Sequence, residues 1–360
     1  MKYFSEKLEY QNQKNRYRSL KKQNFFFNGI NFSSNDYLSL STNRQLIEAA
    51  KKYLNQIGSA SSSHICGNHQ LNIDLVKKIS KLKHAENSLI FSSGYLAAIS
   101  IIPALVDKNC LILADRLIHA CLIDGAKLSD AKFLRFPHNN YQALEKLLEK
   151  NKSKYDRILI ISESVFSMDG DLANIEILLK LAKKHQSLLL IDDAHGLGII
   201  KQQKTNYPHY LQMGTFSKSC GSYGGYVCAS NLLIDYLCNF SRGNIFNTSL
   251  PPAILAANLA ALEIIENDQI LAKKTLQNAN IFCQQLNLTK PQSAIVPIVI
   301  GDEQKTLQIA KNLKEQGFLV GAIRPPTVAN NTSRLRISFN SNHSKQDIIN
   351  LAKKIKVYLK

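Results

Sequence analysis

The chain has 360 residues, 45% hydrophobic and 20% charged, with no Trp and a formal net charge of +18. That composition suits an ordinary globular enzyme with an ample core and excludes a disordered chain. No window has the length and apolarity to span a bilayer, and the N-terminal MKYFSEKLEYQNQKNRYRSLKKQ lacks the apolar run of a secretory signal, so a cytoplasmic protein without membrane contact is expected.

Residues 1–34 read as an N-terminal segment lying across two lobes. From about residue 70, helix-period stretches (71–83, 94–105, 141–151, 172–185) alternate with short apolar strands (SLIF, CLILAD, RILIIS, SLLLIDD, GYVCAS). This alternation predicts an α/β lobe over 35–245, built on a mainly parallel sheet covered by helices on both faces. After the helix-like 231–241 and NTSLPP, one long apolar-periodic stretch runs from 252 to about 287. Strand AIVPIVI, helix 303–316, strands FLVGAI and RLRISF and helix 344–359 follow, and 246–360 reads as a smaller α+β lobe. There is no internal repeat and no linker-like composition.

The positive charge favours anionic partners, nucleic acid among them. However, the lysines are spread along helical stretches (Lys77, Lys78, Lys81, Lys83; Lys146, Lys150, Lys152, Lys154) without interleaved aromatics, so solvated helix faces are the better reading and no nucleic-acid partner is expected. An acidic carrier protein or a phosphorylated coenzyme would use the same field. Seven cysteines without a CxxC pair read as buried free thiols, with no disulfide and no metal site.

Five strand-end motifs carry candidate chemistry. TFSKSCGSYGGYV sets Thr215 three residues before Lys218, ahead of a glycine-rich segment. A lysine nucleophile needs a confined site, and small neighbours admit a planar cofactor, although a surface lysine beside a glycine turn is the common alternative. LLLIDDAHGLG ends an apolar strand in Asp192 and His195, at the sheet edge where open α/β folds bind ligands. Asp192 can keep a pyridinium nitrogen protonated and His195 can bond a phenolic oxygen, unless the strand-end carboxylate merely caps a helix, a role that would suit Asp193 better. FSSGYLAAIS puts Gly94 and Tyr95 at a strand-to-helix turn able to hold a phosphate through backbone N–H groups, or acting as a plain turn. DRLIHACLIDGAKLS offers His119 to stack on a ring, and SESVFSMDGD offers Ser167, beside Glu163, to bond a phenolic oxygen. Taken singly, each is better read as a satisfied polar group at a strand end.

In this order, the motifs resemble the α-oxoamine synthase family of fold-type I pyridoxal-phosphate enzymes, a likeness running from about residue 29 to 350. NFSSNDYLSLS, DRLIHACLIDGA, SVFSMDGD, DDAHGLGII, NTSLPP and AIRPPTV are most similar to the branch that condenses L-alanine with a pimeloyl thioester in biotin synthesis. The resemblance implies pyridoxal 5'-phosphate as cofactor, Lys218 as its imine lysine and base, Asp192 as the pyridinium partner, and His195 and Ser167 on the phenolic oxygen. It implies Gly94, Tyr95 and Thr215 on the phosphate, His119 stacked on the ring and touching substrate, and Thr248 reaching the cofactor of the neighbouring subunit in a homodimer. Asn35 and Arg336 match the grip on the amino-acid carboxylate, and Thr327 matches the acyl channel. Coenzyme A and acyl carrier protein both remain open as the acyl carrier, and Arg16 and Arg18 both remain open as the substrate arginine. Family members are usually glycine-rich where this chain has GSASSSHICG (58–67), and the connection from His195 to Thr215 is short. Sister enzymes using glycine or serine, and a non-catalytic basic binding protein that has kept the fold, are the alternatives.

Overall fold

The structure is a computed structural model that describes residues 1–18 and 27–359; residues 19–26 of the expected N-terminal segment lie outside the described residues. In chain order the first elements are α1 (Lys2–Gln13), β1 (Ile30–Asn31), α2 (Arg44–Lys51), α3 (Gln70–Lys83), β2 (Asn87–Phe91), α4 (Gly94–Leu105), β3 (Cys110–Asp115), α5 (Ala120–Leu128) and β4 (Lys132–Phe136). Next come α6 (Tyr141–Asn151), β5 (Arg157–Glu163), α7 (Ile175–Lys184), β6 (Leu188–Asp192), β7 (Tyr210–Thr215), β8 (Gly225–Ala229), α8 (Asn231–Phe240), α9 (Arg242–Ile245) and α10 (Pro252–Asn267). The chain closes with α11 (Ile270–Gln285), β9 (Ile295–Gly301), α12 (Glu303–Glu315), β10 (Phe318–Leu319), β11 (Gly321–Ile323), β12 (Ser333–Ser338) and α13 (Lys345–Lys356).

Two compact units result. The sheet unit comprises 38–167 and 171–273; the terminal unit gathers 168–170 with the described parts of 1–37 and 274–360. The sequence reading sets its breaks after residues 34 and 245. The structure carries α10 in the sheet unit because this helix, opened by Pro252 in its first turn, packs on α2 and α3.

The sheet unit is organised by seven strands in the order β2-β8-β7-β6-β5-β3-β4, in which only β8 opposes its neighbours. Strand residues alternate between two cores, which is why the central strands read as unbroken apolar runs. Ile112, Leu159, Ile161 and Leu190 face α4, α5 and α8, while Leu113, Ile158, Ile160, Leu189 and Ile191 face α6 and α7. By the same parity Glu163 and Asp192 fall on the α4–α5 face, and the strand register sets them side by side. Six strands therefore deliver their carboxyl ends to one edge, and the chemistry-bearing residues follow from that.

In the seven-stranded sheet two strands were not legible as such, β4 and β7, and the two-residue β1 was not read either. KFLRF is a half-exposed edge strand interrupted by Lys132 and Arg135, and YLQMGT is interrupted by Gln212 and Gly214. The long apolar stretch from 252 is two helices broken at Asp268–Gln269, and FLVGAI divides into β10, which pairs with β1, and β11, which pairs with β12. Lys83 also departs from expectation: its side chain is fully buried against Asp193, so α3 does not present all its lysines to water. Cys66 is exposed and Cys238 half-buried, whereas the other five free cysteines are buried.

The terminal unit has its own core, with Phe282, Leu313, Leu335, Ile337, Phe339 and Ile348 closed between the three-stranded sheet β11-β12-β9 and helices α11, α12 and α13. Among the described residues no helix is long and apolar enough to cross a membrane.

At the carboxyl edge of the sheet unit His138, just beyond β4, lies between Asp115 (2.9 Å) and Asp171 (2.7 Å). Burial alone would lower its pKa, but the hydrogen bonds and charges of both carboxylates outweigh that and raise it to about 10. A raised pKa makes the stabilisation complete below the ordinary value near 6.5 and erodes it as pH climbs through 10. We expect His138→Gln to lower the thermal midpoint by several degrees at pH 6 and by progressively less toward pH 10.5, as read by circular dichroism melts across that range.

Candidate active site

Along the carboxyl edge of the sheet unit, residues from five segments line a cavity of about 220 Å3: Ser93–Tyr95, His119 and Cys121, Glu163, Asp192 with Ala194 and His195, and Met213–Lys218 with gaps. Each arrives for a local reason. Asp192 ends β6, its backbone still paired with β7, and its carboxylate accepts the Ala194 N–H at 2.8 Å. That bond reverses the chain so that His195 turns back over the strand end, and its Nε2 lies 2.7 Å from Lys218 Nζ. Asp193 is no helix cap, contrary to the alternative weighed for it; its carboxylate pairs with Lys83.

The turn from β2 into α4 forms the opposite wall. Ser93 caps α4, its hydroxyl accepting the Leu96 N–H at 3.1 Å, while the first-turn N–H groups of Gly94 and Tyr95 have no partner within the helix and form the positive end of its dipole. This turn needs small neighbours. A Cβ on Gly94 would stand 3.2 Å from the Thr215 side chain, and one on Gly225 would stand 2.5 Å from the Ser93 carbonyl and 2.6 Å from the Gly94 nitrogen. The Thr215 hydroxyl donates to the Gly224 carbonyl at 2.7 Å and accepts the Ser217 N–H, so this threonine also fixes the loop that carries Lys218.

The electrostatics separate two neighbouring carboxylates. Burial, reinforced by the Asp192 charge, holds Glu163 well above the ordinary carboxylate range despite N–H donation from His119 and Ser167. Burial also raises Asp192, opposed by Lys218, the Ala194 N–H and His119. Burial thus disfavours the charged form of both carboxylates, and the Lys218 charge opposes it at each. His119 caps α5, accepting the Cys121 N–H on Nδ1, and burial lowers its pKa, so it presents a neutral ring to the cavity.

These residues fit pyridoxal phosphate. A primary amine, a buried carboxylate, a neutral imidazole and a helix N-terminus converge, and the glycine cradle at 94 and 225 is one that a Cβ would fill. Lys218, Asp192, His195, His119, Gly94, Tyr95 and Thr215 are thus brought together. Ser167 gives its backbone N–H to Glu163 and is not among the cavity-lining residues, and Thr248 lines a separate hollow with Asn244 and Ser249. Sequence reasoning left Glu163, Cys121 and Met213 without roles; a carboxylate two residues beyond the apolar run ILII was the readable signal for Glu163.

The serine-rich 58–67 segment is firmly tied. Ser59 donates to the Leu250 carbonyl at 2.6 Å, Ser63 and Ser249 share a hydrogen bond of 2.7 Å, and the Ser249 N–H donates to the Ser61 carbonyl at 3.0 Å. The hydroxyls thus anchor NTSLPP.

In the terminal unit, Arg336 on β12 is buried and donates to Asn35 Oδ1 (3.0 Å), Ser338 Oγ (2.8 Å) and the Tyr37 hydroxyl (3.3 Å). The AIRPPTV loop binds the N-terminal stretch: Arg324 donates to the carbonyls of Asn15 (2.6 Å) and Tyr17 (2.8 Å), and Arg18 donates to Thr327 Oγ1 at 3.1 Å. Arg16 is engaged elsewhere, by Glu303 at 2.8 Å and Asn330 at 3.0 Å.

The model of the family described as aminotransferase class I and II matches residues 28–355. Curated relatives include 8-amino-7-oxononanoate synthase of Maricaulis maris, 46% identical over 340 residues, with 92% of this chain and 86% of the relative covered. The synthase of Methylocella silvestris is 41% identical over 339 residues, covering 92% and 97%. Among solved structures, serine palmitoyltransferase of S. paucimobilis with a bound pyridoxal phosphate–myriocin aldimine superposes with a TM-score of 0.87 at 25% identity, covering 91% of this chain and 87% of that one. The 8-amino-7-oxononanoate synthase of Francisella tularensis superposes with a TM-score of 0.75 at 26% identity, covering 92% and 98%.

Gly225→Ala pushes a methyl group into the backbone of Ser93 and Gly94 and displaces the anion-binding turn. Affinity for pyridoxal phosphate in equilibrium dialysis should fall on the order of tenfold, about 1.4 kcal/mol, while far-ultraviolet dichroism stays that of the parent.

Proposed function

Because the chain belongs to the class I and II aminotransferase family and, within it, to the 8-amino-7-oxononanoate synthases, we propose that it condenses L-alanine with a pimeloyl thioester, releasing carbon dioxide and the free carrier. The family makes it a pyridoxal-phosphate-dependent C-acyltransferase serving biotin synthesis. The observation that carries the cofactor reading is the convergence on one cavity of Lys218, its partner His195 at 2.7 Å, and the Asp192 carboxylate; the choice of alanine and a pimeloyl thioester is supported by the 46% identity to a curated 8-amino-7-oxononanoate synthase.

Pyridoxal phosphate, when bound, supplies an electron-accepting ring conjugated to the substrate nitrogen. The chain's own residues do the rest. Gly94 and Tyr95 donate backbone N–H groups to the phosphate, with Thr215 beside them. Asp192 accepts the ring N–H and keeps that proton in place, and His119 covers the ring. His195 and Ser167 are assigned to the phenolic oxygen, Ser167 on the family pattern alone. Lys218 would hold the cofactor, and its Nζ, when free, would take the proton from alanine Cα. Cα bonds to the acyl carbonyl carbon and the thiolate leaves; the former carboxylate departs as carbon dioxide, and Lys218 returns a proton to Cα. Arg336 and Asn35 hold the alanine carboxylate until that loss.

Arg18 is the better choice for the acyl substrate, since it already reaches Thr327 whereas Arg16 is neutralised by Glu303. The net charge of +18 suits coenzyme A and acyl carrier protein alike. Thr248 is assigned to the cofactor of a second subunit in a homodimer.

Lys218→Ala should remove the visible absorbance of the lysine-bound cofactor and lower turnover by about 10^3-fold or more; full activity in this variant would end the proposal. Arg336→Lys should raise KM for alanine about tenfold with a smaller change in kcat, because an ammonium cannot form the bidentate contact. A panel of amino acids and thioesters tests specificity. Preference for glycine with acetyl-CoA, or for serine with a long-chain thioester, would assign the chain to a sister activity.

A further inference from the structure

A buried ion pair adjoins the cavity without lining it. Lys83, in the last turn of α3, has no exposed side-chain surface, and its Nζ lies 2.6 Å from Asp193 Oδ2, whose side chain is 4% exposed. Nζ also donates to the Gln202 side-chain oxygen, and the other Asp193 oxygen accepts the Ser164 hydroxyl. Gln212 on β7 donates to the Lys83 carbonyl at 3.0 Å, tying the end of α3 to the sheet. Gly196 leaves room for the cluster, since a Cβ there would stand 2.1 Å from Asp193 Oδ1 and 2.6 Å from Ser164 Oγ.

Two members, Asp193 and Ser164, adjoin cavity residues along the chain. Asp193 follows Asp192, and Ser164 follows Glu163; the Ser164 N–H donates to the Asp192 carbonyl at 2.8 Å, and the Asp193 N–H to the Met213 carbonyl at 2.7 Å. Three carboxylates therefore crowd one strand end. Burying an ammonium is expensive, and an apolar residue at position 83 would fill a helix–sheet contact at lower cost. The lysine instead supplies the charge that Asp193 needs.

We propose that Lys83 and Asp193 form a positioning pair, holding Asp193 neutralised and away from the cavity so that Asp192 presents the single negative charge to the ring nitrogen. The inference rests on the pyridoxal-phosphate reading above. The pair's field reaches its titratable neighbours: beyond the burial that dominates each, the Asp193 charge helps to raise Asp192, Tyr210 and Tyr226. Cys228, pushed up to about 12 by burial, is pulled down by Lys83 and up by Asp193, and burial lowers His84 with help from Lys204 and Lys83.

The test compares the full-length holoenzyme with Lys83→Met, Asp193→Asn and the double variant, reading pyridoxal-phosphate affinity, the pH midpoint of the visible band and the thermal midpoint. Lys83→Met strands a carboxylate, so affinity should fall about tenfold and the band midpoint should rise. Asp193→Asn strands an ammonium, so the midpoint should fall. The double variant should recover most of both properties. A structural role alone would move the thermal midpoint and leave the band midpoints unchanged or shifted in one direction, and that result overturns the proposal. If either single variant fails to fold, the other and the double variant still give the sign. A parent protein without visible absorbance would instead defeat the cofactor reading.

Discussion

The structure depends on keeping charge buried at the end of a hydrophobic sheet. Strand β6 is apolar until its last residue and β5 from Ile158 to Ile161, and at their ends Glu163 and Asp192 arrive side by side on the face covered by α4 and α5. Such a junction is tolerable only with protonation, counter-charge or hydrogen bonding. All three are present. Burial pushes Glu163 toward its protonated form, Lys218 and the Ala194 N–H attend Asp192, and Lys83 answers Asp193. The same arrangement leaves one carboxylate able to influence a bound ring, so the solution to a burial problem is also the source of the chemistry.

Much of this was legible in the chain. The central strands announced themselves because burial on both faces demands unbroken apolar runs, and α4, α6 and α8 followed from their periodicity. Asp192, His195, His119 and Gly94 were readable because each ends or closely follows such a strand or opens the next helix, and Lys218 because it stands ahead of a glycine-rich segment. What escaped was tertiary in origin. On sequence spacing, Lys83 belonged with Lys77, Lys78 and Lys81 as one more solvated cation, and its partner lies 110 residues away. Strand β7 was hidden by Gln212, whose amide is explained only by the Lys83 carbonyl it reaches.

The terminal unit solves a different problem. Arg336 is buried yet supplied with Asn35, Ser338 and Tyr37, which fix its guanidinium before any ligand arrives. Arg324 and Arg18 bind the N-terminal stretch to the AIRPPTV loop, giving an otherwise featureless polar segment a defined place. Neither arrangement could be read from spacing, because the partners are about 300 residues apart in the chain.

Strand β4 has a consequence for how the protein behaves in a crowded solution. It is an outer strand of the seven, only five residues long, and it displays Lys132 and Arg135 to solvent. An unpaired strand edge is a template on which another chain can add, and short length and like charge are what discourage it. In a molecule of net charge +18, two copies meeting along this edge repel one another before their backbones can pair. The edge is thereby protected against open-ended aggregation, and salt that screens those charges weakens the protection.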